Sequence, residues 1–156
     1  MGKENQKKVT LTLADIICKN KQMNKGFRGK HFLETYGADF YFKKCDEDFF
    51  FDLTDKYPDV FSEEKEARAS ELMKAIHRLL YECLLVKNDD TYMSLKDKGV
   101  QDALGINQAK PEEIIDNTVK GILPRFEDRA EMFSEILKFS GFGGKSKKDI
   151  PAETKN

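Results

Sequence analysis

Tryptophan is absent from this chain of 156 residues, and cysteine, histidine and proline are scarce. The three cysteines, Cys18, Cys45 and Cys83, are an odd number without C-x-x-C spacing, which argues against a disulfide framework or a zinc ribbon. Each sits beside apolar neighbours, so all three read as buried free thiols. The two histidines, His31 and His77, lie far apart without metal-ligand spacing. His77 falls beside an apolar helical stripe and reads as a boundary residue or a hydrogen-bonded core histidine. No apolar run approaches the roughly 20 residues of a membrane span. Met1 to Lys8 leads into an amphipathic segment and not an uninterrupted apolar one, so no signal peptide and a cytoplasmic location are expected. Glycine patterns for dinucleotides, a serine nucleophile elbow and H-E-x-x-H are all missing, so no catalytic, cofactor-binding or metal residue is assigned.

The stretch "SGFGGKSKKD", 140–149, ends its glycines in Gly-Lys-Ser and invites comparison with a phosphate-binding loop. That loop needs a glycine where this chain has Phe139, and a strand where this chain has helical periodicity. The stretch reads instead as a helix end, with Gly141 at the C′ position and Phe142 folding back as the apolar C″ residue. Gly105, followed by Ile106, repeats that ending two helices earlier.

What is present is charge, at 35% of residues, with a formal net charge of only −1. The balance hides two blocks. From Lys3 to Lys30 eight bases meet two acids, 8 − 2 = +6, and from Glu34 to Glu71 five bases meet twelve acids, 5 − 12 = −7. Such blocks can steer a charged partner or cancel as solvated faces of one fold.

The length suits one domain burying about 68–70% of its unfolded surface. Residues 1–10 are polar and are expected to be flexible. Thr12 with Asp15 forms a capping box, Leu11 can staple onto Ile16, and the helix they open should end near Asn20. The alternation in "KHFLETYGADFYFKK" predicts a β-hairpin near 31–44. "DEDFFFDLTDKY" predicts a short helix with Phe49 and Leu53 on one side. Ser62 is expected to cap a long central helix running to about Val86, with Leu72, Ile76, Leu79, Leu80 and Cys83 inward. "SLKDKGVQDALGI" encodes a shorter helix, Pro111 opens another, and Pro124 a last one with Phe126, Ala130, Phe133 and Leu137 in register. The fold class expected is mainly α within α+β. It is a helical domain of five to six helices over 11–143, with one hairpin on its N-terminal side and a flexible tail at 144–156.

With these helices placed, "LLYECLL", "SLKDKGVQDALGI", "KPEEIIDNTVKGIL" and "ILKFSGFGG" together resemble the phage tail assembly chaperones of the XkdN-like family. The likeness covers roughly residues 72–156 and departs from the family at Asn88 to Thr91, where members carry a proline. It implies a non-enzymatic protein of the host cytoplasm, absent from the mature virion, that coats the tape measure protein before the tail tube forms. It also implies that a frameshifted extension contacts the tail tube protein. Phe139 and Phe142 are the candidate partner-binding residues under this reading.

The alternative is a nucleic-acid-binding or regulatory phage protein using the basic N-terminal segment, with Phe40, Tyr41 and Phe42 as base-stacking candidates. The neighbouring acid block opposes phosphate approach, and aromatics in a half-buried strand also serve packing, so nucleic acid is not the expected partner.

Overall fold

The computed structural model describes residues 10–18, 28–106 and 110–142. The expected flexible N-terminus up to residue 9, the helix end near Asn20 and the tail from 144 lie outside the described residues. Helix α1 begins at residue 13 and is described to residue 18. A hairpin of β1 (Arg28–Leu33) and β2 (Ala38–Lys43) follows, then α2 (Glu47–Lys56) and a 3-10 turn at Pro58–Phe61. Helix α3 (Ala69–Cys83) runs straight into β3 (Leu84–Asn88) and β4 (Thr91–Ser94). Three helices close the chain: α4 (Lys98–Ala103), α5 (Pro111–Ile122) and α6 (Phe126–Phe139).

The expectation of a single hairpin is overturned. The strands form one four-stranded antiparallel sheet in the order β1-β2-β3-β4, so the described residues make a mixed α+β fold of six helices and a sheet. The central helix is shorter at both ends than the expected span of Ser62 to about Val86. It begins at Ala69 with Arg68 at the cap, while Ser62 ends the 3-10 turn and its Oγ accepts from the Glu64 N–H at 3.1 Å. It stops at Cys83 because Leu84 turns to extended backbone, φ −69° and ψ 140°, and pairs with Phe42 of β2. An apolar run such as Leu84-Leu85-Val86 satisfies helix and strand alike, and long-range pairing decides between them. The Asn88–Thr91 link turns through Asp89 at φ 55°, the left-handed geometry of a tight hairpin.

The core gathers on the helical side of the sheet. Leu33, Phe42 and Leu84 from the strands meet Ile76, Leu79 and Leu80 of α3, Val119 of α5, and Met132 and Ile136 of α6. Helix α3 packs on both α5 and α6, and α6 lies against β1. That last contact is close enough to exclude a side chain at Gly29. A Cβ there would stand 2.4 Å from the Phe42 ring and 2.9 Å from that of Phe139.

Local endings follow the glycines. Gly105 and Gly141 sit at φ 74° and 92°. The Ile106 N–H donates to the Gln101 carbonyl at 2.9 Å and the Phe142 N–H to the Leu137 carbonyl at 2.8 Å, the six-to-one bonds of a Schellman motif. Of the cysteines, Cys45 and Cys83 are buried, but Cys18 is exposed on α1, contrary to its apolar sequence neighbourhood. No helix among the described residues is long and apolar enough to cross a membrane.

Candidate functional site

Helix α1 is built by its own sequence. The Thr12 N–H donates to the Asp15 carboxylate at 3.2 Å and the Asp15 N–H to the Thr12 hydroxyl at 3.1 Å, so two orphan donors are satisfied reciprocally. Its apolar side is left in solvent: Leu13 is 73% exposed, and Leu11, Ile16 and Ile17 are exposed as well. An amphipathic helix in a folded domain draws most of its stability from packing of its apolar stripe. Here that stripe is a surface on offer.

The predicted partner residues are placed differently. Phe139 is partly buried against the core, edge-on to Phe42 with centroids 5.2 Å apart. Phe142 stacks on Phe50 at 4.0 Å. Both rings serve packing inside the fold, and the two do not combine with α1 into one surface in any contact described.

Two polar clusters join elements that the sequence keeps far apart. His31 on β1 reaches Glu131 of α6 through Nε2 and stands 3.6 Å from Glu135 through Nδ1. His77, 1% exposed on α3, bonds through Nδ1 to Asp116 of α5 at 2.9 Å. Burial pushes the His77 pKa below its ordinary value, with the Asp116 bond and charge opposing and Arg129 and Lys120 assisting. Its Nε2 has no hydrogen-bond partner among the described residues. Arg129, also buried, donates through Nη1 to the Leu123 and Pro124 carbonyls at 2.8 Å each, tying α6 to the end of α5. The neighbouring Cys45 thiol and burial both raise the Cys83 thiol pKa. A cleft of about 410 Å³ lies between α2 and α3, lined by Phe49, Asp52, Leu53, Asp55, Lys56 and Arg78. Among the described residues no group of three His, Cys, Asp or Glu side chains is arranged to hold a metal ion.

The sheet face turned away from the core carries a different population. Strand alternation with the observed register puts Arg28, Lys30 and Phe32 of β1 on it, with Asp39, Tyr41 and Lys43 of β2. It adds Leu85 and Lys87 of β3, then Tyr92 and Ser94 of β4. The aromatic string Phe40-Tyr41-Phe42 is thereby split: Phe42 is buried, Phe40 packs on the core, and Tyr41 alone points outward. Tyr92 and Lys87 were invisible as site residues because their strands were not expected. The Asp-Asp turn between two short apolar runs was the available signal for them.

Comparison of the chain with known protein families, curated proteins and solved structures finds no match.

Proposed function

We propose that this chain is a tail assembly chaperone of the XkdN-like kind, a non-enzymatic protein that holds the phage tape measure protein during tail assembly. The reading rests on the resemblance of residues 72–156, and the observation that carries it further is the exposed stripe Leu13, Ile16 and Ile17 of α1, with exposed Leu11 just before its cap. A pre-capped amphipathic helix with its apolar side free is one half of a helix-to-helix interface, the mode by which a long amphipathic partner is gripped. The partner is then the tape measure protein, whose release accompanies tube polymerisation, with the tail tube protein recruited through a longer frameshifted product. Such a protein acts in the host cytoplasm and leaves before the virion is complete.

Co-expression with a tape measure fragment tests this. The wild-type chain should co-purify with the fragment, and the double variant Leu13→Asp, Ile17→Asp should lose it while keeping its circular dichroism and melting. Loss of nothing in the double variant, or no capture by the wild type, would overturn the assignment.

A further inference from the structure

We propose that the outer face of the sheet binds single-stranded nucleic acid. The surface is made of described residues from all four strands, and its chemistry is unlike that of the chain as a whole. Arg28, Lys30, Lys43 and Lys87 stand on it against one carboxylate, Asp39, a local balance of 4 − 1 = +3 on a chain of net charge −1. Glu82 at the margin is held between Lys43 at 3.5 Å and Lys96 at 2.5 Å, and counting it together with Lys96 leaves the balance at 5 − 2 = +3. The pair Lys30–Asp39, at 3.8 Å and largely exposed, is weak enough for a phosphate to compete with.

Stacking surface lies among these bases. Tyr41 and Tyr92 meet edge to face with centroids 5.3 Å apart. The Arg28 guanidinium lies 4.0 Å over the Tyr92 ring, and Lys87 stands 5.5 Å from Tyr41 and 5.9 Å from Tyr92. Phe32, 52% exposed, extends the aromatic area at the β1 edge. Flat rings flanked by cations on an antiparallel sheet suit a partner that brings flat rings and anions together, which is what unstacked nucleotides do. An acidic peptide would meet the charges and leave the rings unused.

The acid block that argued against nucleic acid in the sequence is mostly elsewhere in space. Its α2 portion packs through Phe50 on Phe61 and Phe142, on the helical side of the sheet. Asp39 is the one acid of that block among the strand residues of this face.

The face is distinct from α1, so the two readings fail separately. Fluorescence anisotropy with oligouridine, oligothymidine and a duplex of about ten nucleotides each would test it at roughly 50 mM salt. Oligouridine or oligothymidine should bind and the duplex should bind more weakly. Preference between the two single strands identifies RNA or DNA as the source. Tyr92→Ala and Tyr41→Ala should each weaken binding about tenfold or more. Lys30→Glu with Lys87→Glu, changes at two exposed side chains, should weaken binding about tenfold or more and reduce the magnitude of a salt slope expected near −2 to −3 for three or four phosphates. Leu13→Asp, Ile17→Asp should bind as wild type. No binding at about 100 μM protein under these salt conditions, equal binding of polyglutamate, or unaltered affinity in the lysine variant would overturn the proposal.

Discussion

The ring of Phe142 lies flat on that of Phe50, centroids 4.0 Å apart and planes 3° from parallel, joining the chain just beyond α6 to α2. The contact depends on the turn before it. Gly141 at φ 92° sends Phe142 back across the end of its own helix, and Phe50 in turn meets Phe61 edge-on at 5.4 Å.

Gly141→Val should therefore destabilise the fold. A Cβ at this position meets nothing within 4 Å among the described residues, so the loss is backbone strain. Strain of that kind amounts to about 1–3 kcal/mol, and Tm should fall by roughly 2–4 °C per kcal/mol. Gly141→Asn, which tolerates the left-handed region, should keep most of the stability. Thermal melts of the two variants check this, and a valine variant that melts with the wild type would contradict it.

Gly29→Ala tests the opposite cause. Here the backbone of β1 is ordinary, but the added methyl would overlap the buried Phe42 ring and the Phe139 ring. Overpacking of this sort is worth about 1–3 kcal/mol. Phe139→Leu should recover part of it by vacating space, so a double-mutant cycle in urea should show positive coupling between the two positions.

His77 gives the fold a pH dependence of defined sign. Its folded pKa is lowered by burial, so between the unfolded value near 6.5 and the lower folded value the unfolded chain binds more protons. Its contribution is fully present above that window, declines as pH falls through it, and changes no further below the folded pKa. Urea midpoints measured from pH 7.5 down to about 5 should fall with pH, and His77→Gln should flatten that part of the profile.

The cysteines should separate by reactivity. Cys18 is exposed, whereas Cys45 and Cys83 are buried, and the neighbouring Cys45 together with burial pushes the Cys83 thiol pKa up, which keeps it protonated. A thiol reagent at neutral pH should label Cys18 alone in the native protein and all three after denaturation. Fast native labelling of Cys83 would contradict the packing of α3 against the β2–α2 link.

Interactions within one turn were legible in the sequence. Thr12 with Asp15, Pro111 at the start of α5, and the glycines ending α4 and α6 each act on neighbours three to five residues away, where the chain itself holds the partners close. Periodicity likewise identified Ile76, Leu79 and Leu80 as core, because only one side of a helix can face inward. What only the tertiary structure decided was every choice that local physics leaves balanced. The run from Leu79 to Val86 is apolar enough for helix or strand, and pairing of Leu84 with Phe42 made its second half a strand. That choice created β4 and fixed Tyr41 and Tyr92 on one outer face, while tertiary packing set Phe139 against Phe42 and Phe142 on Phe50. His77 found Asp116 in the same way, through the packing of α3 on α5. Contacts between residues far apart along the chain exist only once loops have closed, and neither spacing nor composition encodes which of them will form.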